Sequence, residues 1–253
     1  MTPGGGIVPT TQDDAPAPPE AEGVIAARIE QVRARIRAAE QDAGRPSGDV
    51  ALLAVSKGQD AGMIRAAHAA GQRAFGESYL QEALDKQRRL ADLADIEWHF
   101  VGRIQANKTR SIAASFDWVH SLCDLRHATR LNDQRPAGRP PLQACLQINL
   151  SGESSKAGLE PAQVAEFLAA CRALPRLRIR GLMTLPAPTD SFATQRIPFL
   201  ALRRLRDGVA TPASPLDVLS MGMSDDLEAA IAEGATIVRL GTAIFGDRTR
   251  PGH

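Results

Sequence analysis

A chain of 253 residues, 43% of them hydrophobic, is long enough for one large α/β domain and apolar enough to fill it. Acids and bases nearly cancel, at a formal charge of +1, so no nucleic-acid partner is implied even though arginine far outnumbers lysine. No apolar run approaches the ~20 residues of a membrane span, no secretory leader opens the chain, and three cysteines without CxxC spacing (Cys123, Cys145, Cys171) read as reduced thiols of a cytoplasmic protein.

Residues 1–21 are rich in Pro, Gly, Thr and Ala and have almost nothing to bury, which predicts a disordered tail, with a second short tail over 249–253. From residue 22, Val24, Ile25, Ile29, Val32 and Ile36 recur at helical spacing, and Pro46 bars continuation beyond Gly44. The arginines between them predict a solvated face. After this extra N-terminal helix the chain alternates. Apolar strands are predicted over 50–55, 73–75, 96–101, 118–119, 142–150, 177–182, 216–219 and 236–240. Helices are predicted over 61–70, 79–90, 105–114, 125–131, 161–174, 192–207 and 225–233.

Most of these strands are continuous apolar runs, as expected where both faces are buried, and alternating β and α segments imply a parallel sheet. Eight such units over 22–248 fit a single closed (β/α)8 barrel, a TIM-like fold, with an open doubly wound sheet as the alternative.

In a barrel, ligand groups come from the carboxyl ends of strands and the loops that follow, and phosphate is often held after strands seven and eight. The first strand ends in Lys57. After the seventh comes Ser220-Met221-Gly222-Met223-Ser224-Asp225-Asp226, where Ser220 and Ser224 offer hydroxyls and Gly222 admits a close approach. Ser224 also reads as the N-cap of the next helix. The eighth strand leads into Gly241 and Thr242, and its alternation turns Arg239 inward, with Glu77 as a candidate partner. His99, between Trp98 and Phe100, reads as a satisfied core histidine and His68 as a surface one. No cluster has metal-ligand spacing, and no GxSxG, P-loop or dinucleotide fingerprint stands in its proper context.

Together these residues resemble the pyridoxal-phosphate homeostasis proteins, relatives of the barrel domain of alanine racemase. The likeness rests on Leu53-Ala54-Val55-Ser56-Lys57, Phe75-Gly76-Glu77, Trp98-His99-Phe100-Val101-Gly102 with Gln105-Ala106-Asn107-Lys108, and Gln147-Ile148-Asn149 with Ser155-Lys156-Ala157-Gly158. It continues through Arg180-Gly181-Leu182-Met183, the 220–226 segment and 238–246. The resemblance implies a barrel of the alanine racemase N-terminal type in which Lys57 carries pyridoxal 5'-phosphate as a Schiff base. Ser220, Ser224, Gly241 and Thr242 would hold the phosphate, Arg239 would face the pyridine nitrogen, and Ser78, Met183 and Gly222 would complete the contacts. Two departures stand out. Gly58-Gln59-Asp60 replaces the family's usual Thr-Lys-Pro, and Ser78 stands where asparagine is usual.

An arginine at the pyridine nitrogen favours the unprotonated ring and so weakens it as an electron sink. Racemisation would still need a second base, which the racemases take from a partner subunit's tyrosine. The one tyrosine here, Tyr79, reads as a packing residue. The expectation is a non-catalytic, monomeric carrier in vitamin B6 and amino-acid homeostasis, passing its cofactor to pyridoxal-phosphate-dependent apo-enzymes. A fold-type-III racemase-like enzyme is the alternative, and Lys156 is a candidate second acceptor during release.

Overall fold

The continuous apolar runs become strands covered on both sides. In the computed structural model, which describes residues 19–151 and 157–247, eight parallel strands close in sequence order into a barrel. They are β1 Ala51–Val55, β2 Ala74–Glu77, β3 Glu97–Phe100, β4 Trp118–Leu122, β5 Leu142–Gln147, β6 Leu177–Met183, β7 Val218–Ser220 and β8 Ile237–Leu240. The last strand pairs with the first, setting Arg239 opposite Leu53. Helices α2 Ala61–Ala69, α3 Leu80–Arg89, α4 Thr109–Ser115, α5 Leu125–Gln134, α6 Val164–Cys171, α7 Phe192–Val209 and α8 Leu227–Ala232 follow the strands in turn, and α9 Thr242–Phe245 follows β8. No helix of the described residues is long and apolar enough to cross a membrane.

The extra helix, α1 Pro19–Asp42, starts earlier than its apolar spacing predicts. Ile25, Ile29, Val32, Ile36 and Ala39 are buried on one face, as a helical stripe requires. Its arginines are not merely solvated. Arg33 donates to the carbonyls of Ala70 and Gly71 at the end of α2, and Arg35 pairs with Glu228 on α8. Buried Glu40 accepts the amides of Gly48 and Val50, which fixes the entry into β1.

Other elements differ at their ends. The helix expected from 105 starts at Thr109, because Gln105 to Lys108 form a turn. Strand β5 stops at Gln147, after which the Asn149 amide donates to the Leu159 carbonyl and the Leu159 amide to the Gln147 carbonyl across the β5–α6 loop. Lys156 in that loop lies outside the described residues, as do 1–18 of the expected tail and 249–253.

The core has two parts. A large aliphatic layer fills the space between strands and helices, and a smaller cluster of Leu53, Trp118, Cys145, Met183, Val218 and Ile237 fills the bore. Strands β6 and β7 approach so closely that a Cβ on Gly181 would lie 1.7 Å from the Val218 carbonyl oxygen. The three cysteines are free, and burial pushes the Cys145 thiol up to about 12 and Cys171 up to about 11, which leaves both as unreactive thiols.

Candidate active site at the carboxyl mouth of the barrel

Each strand delivers its last residues to one end of the barrel, and there a cleft of about 340 Å³ opens. From β1 and its loop come Val55, Lys57 and Gln59; from the β2 and β3 ends, Ser78 and Val101. Met183 and Leu185 come from the β6 end, Met223, Ser224 and Asp225 from the loop after β7, and Arg239, Gly241, Thr242 and Gly246 from β8 and its continuation. Of the residues singled out in the sequence, Lys57, Ser78, Met183, Ser224, Arg239, Gly241 and Thr242 are thus brought together. Ser220 and Gly222 are not among the lining residues.

Ser220 closes β7 fully buried, its hydroxyl engaged by Arg239 and His120 rather than open to the cleft. Gly222 has φ +93°, and a Cβ there would meet the Ala230 side chain at 2.5 Å. Helix packing therefore explains this glycine. Ser224 is not an N-cap: α8 begins after Asp226, whose carboxylate instead accepts the Met223 amide at 2.6 Å. Burial pushes the Asp226 carboxyl upward, against that amide bond and the field of Arg239.

The segment bearing Lys57 is braced from behind. Lys86 on α3 donates to the Ser56 carbonyl at 2.8 Å and to the Glu77 carboxylate at 2.7 Å, and also pairs with Glu82. Ser56 Oγ donates to the same Glu77 oxygen at 2.7 Å, and the Gly58 amide donates to Glu82 at 2.7 Å. Both neighbours of Lys57 are therefore tied to one buried ionic cluster. Gly58 sits at φ +75°, a conformation open to glycine at no steric cost. Asp60 caps α2 through the Met63 amide, and Gln59 lines the cleft. The unusual Gly58-Gln59-Asp60 triplet is thus a turn, a cleft residue and a helix cap.

Glu77 is consequently not the partner of Arg239. Burial pushes its carboxyl up, while Lys86 and Ser56 pull it down. Arg239 donates instead to Ser220 Oγ at 2.8 Å and to the Thr184 carbonyl at 3.0 Å. Its own burial pushes the guanidinium down to about 10, so it remains a cation at neutral pH.

Two features escaped the sequence reading. The Lys86 brace was signalled only by the Glu82–Lys86 spacing on one helix face. The strand predicted over 118–119 stops short of His120, whereas β4 runs to Leu122 and its alternation places His120 inside with Trp118. His120 is fully buried, and desolvation, aided by His99 and Arg239, pushes it well below the usual histidine range. The unfolded chain therefore takes up a proton below about pH 6.5 that the folded chain refuses, so this contribution to stability is present above that pH and lost as pH falls. Urea unfolding should show a loss of about 1.4 kcal/mol per pH unit from this group, and His120→Asn should flatten that limb.

The donor set suits an aldehyde that also carries an anionic group: one lysine, one guanidinium, three hydroxyls and the glycine backbone after β8. The cavity volume is at the low end for small-molecule sites. The family model described as the alanine racemase N-terminal domain matches residues 28–249. The chain is 57% identical over 224 residues to the pyridoxal phosphate homeostasis protein of Pseudomonas aeruginosa, covering 88% of this chain and 96% of that one. It is 50% identical over 229 residues to the protein of the same name from Escherichia coli, covering 88% and 97%. Among solved structures it is similar to PipY of Synechococcus elongatus with PLP bound, at 38% identity and TM-score 0.76, covering 88% of this chain and all (100%) of that one. Alanine racemase of Corynebacterium glutamicum, at 20% identity and TM-score 0.66 over 92% of this chain and 63% of that one, shares the fold.

Proposed function

The chain belongs to the pyridoxal phosphate homeostasis protein family, built on the alanine racemase N-terminal domain, and on that premise we propose that it binds pyridoxal 5'-phosphate in the mouth of its barrel and keeps it available to the cell without turning over a substrate. The observation that carries this is the convergence of Lys57 from β1 with Ser224, Arg239, Gly241 and Thr242 from the last two strands in one cleft. When bound, the cofactor supplies an aldehyde that condenses with a primary amine and a ring that draws electrons when its nitrogen is protonated.

The chain's own residues have separate tasks. Lys57 offers the amine, in a turn held by the Lys86–Glu77–Glu82 cluster. The Ser224 and Thr242 hydroxyls and the Gly241 backbone would hold the phosphate, while Met183, Leu185 and Val55 would exclude water from the ring. Ser78 is a further polar contact. Ser220 and Gly222 serve through Arg239 and through packing. Arg239, cationic and pinned by Ser220 and Thr184, would face the ring nitrogen and discourage its protonation.

That arrangement weakens the electron sink on which most catalysis with this cofactor depends. Among the described residues the cleft holds one lysine, and Tyr79 is outside its lining. The carrier reading extends to a cytoplasmic monomer that hands its cofactor to pyridoxal-phosphate-dependent apo-enzymes, with Lys156 as a transient second acceptor. Loaded protein offered a panel of L-amino acids in deuterated water should leave their α-protons unexchanged at enzyme-like rates. Rapid exchange with any one of them would replace the carrier by a racemase-like enzyme.

A further inference from the structure

The bore of the barrel contains polar groups that ligand binding alone does not require. Glu97 and His99 lie on β3, His120 on β4, Ser220 on β7 and Arg239 on β8. His99, His120, Ser220 and Arg239 are all buried, whereas about half of the Glu97 side chain is exposed. Arg239 donates to Ser220 Oγ at 2.8 Å, Ser220 Oγ contacts His120 Nδ1 at 2.8 Å, and His120 Nε2 contacts His99 Nδ1 at 2.9 Å. His99 Nε2 then lies 3.7 Å from a Glu97 carboxylate oxygen, beyond hydrogen-bond length. Glu97 opens β3, so this series runs from the amino-terminal end of the barrel to the cleft.

The direction of every hydrogen bond follows from the Arg239 end. A guanidinium can only donate, so Ser220 accepts from Arg239 and its own hydrogen goes to His120 Nδ1. His120, kept neutral by its burial, must then carry its hydrogen on Nε2 and donate to His99 Nδ1. His99, accepting at Nδ1, then carries its hydrogen on Nε2, the nitrogen that faces Glu97 without hydrogen-bonding to it. The reverse polarity would leave the buried Ser220 hydroxyl hydrogen without an acceptor, an unsatisfied group with a real cost. The rings are held in place by packing. His99 stacks on Trp118 at 5.5 Å and an interplanar angle of 5°, and Trp118 Nε1 donates to Glu97.

We propose that His99, His120 and Ser220 form a one-way hydrogen-bond chain that orients Arg239 toward the cleft, with Glu97 facing its far end. These are positioning residues: none of the three lines the cleft. The consequence for the cofactor rests on the function proposed above, whereas the chain itself does not.

Nitrogen-15 NMR of histidine-labelled protein without cofactor tests the polarity directly. Both His99 and His120 should be bare at Nδ1 and protonated at Nε2 at neutral pH. A hydrogen on Nδ1 of either ring would overturn the chain. Two substitutions then test its purpose. His120→Leu fills the space but removes the acceptor for Ser220, whereas His120→Asn loses volume but can return an acceptor oxygen near the Nδ1 position. With pyridoxal phosphate loaded, His120→Leu should weaken retention about tenfold and shift the pH profile of the visible band, and His120→Asn should restore both. If the leucine variant matches wild type while the asparagine variant suffers, His120 is a packing residue and the proposal fails. If wild-type protein forms no visible band at all, the cofactor reading fails, and the tautomers still decide whether the chain exists.

Discussion

Lys57→Ala is expected to abolish covalent capture of pyridoxal phosphate. Borohydride treatment of loaded wild-type protein should fix a phosphopyridoxyl group to a single peptide containing Lys57, and the variant should carry none. The result is simple to read because the chain has four lysines: Lys57, Lys86, Lys108 and Lys156. Among the described residues only Lys57 lines the cleft, and Lys86 is committed to the buried Glu77 carboxylate. Non-covalent binding through Ser224, Arg239, Gly241 and Thr242 should persist in the variant, weakened at least about 100-fold, which corresponds to ~2.8 kcal/mol. An adduct on another lysine of the wild-type protein would move the anchor elsewhere.

The second large effect is expected away from the ligand. Lys86→Met removes the cation from a site where Glu77 is fully buried and already lacks a partner for one carboxylate oxygen. Leaving a buried charge without its counter-ion costs about 3–5 kcal/mol, whereas replacing both members by apolar groups is often close to neutral. Urea unfolding should therefore show a large loss for Lys86→Met and substantial recovery in Lys86→Met/Glu77→Leu. The recovered double variant should still take up pyridoxal phosphate poorly, because the ties to the Ser56 carbonyl and, through Glu82, the Gly58 amide are disturbed. A stable single variant would show that Glu77 finds compensation elsewhere in the cluster.

The barrel was legible because its signal is local. Strand periodicity, glycine and proline punctuation and the rhythm of alternation can each be read within a dozen residues. Lys57, Ser224, Arg239, Gly241 and Thr242 were legible for a related reason: topology sends every strand end of a barrel to the same mouth. The pairings inside the fold were not. Glu77 is one possible partner of Arg239 by sequence, and the structure gives it to Lys86. Ser220 was read as a ligand contact, yet its position at the end of β7 turns the hydroxyl into the bore. A single residue of strand length decided whether His120 was visible at all.

The sequence by itself determined the barrel, the strand-end lysine at its mouth and the polar character of the cleft, because these depend on residue type and on period along the chain. Only the tertiary structure decided which buried charge neutralises which, and which hydroxyls face the cleft rather than a neighbour. Those choices depend on contacts between residues as far apart as His120 and Ser220, which are 100 positions apart in sequence and 2.8 Å apart in space. Burial makes each unpaired polar group costly, so partners are selected by three-dimensional proximity, which no local pattern encodes.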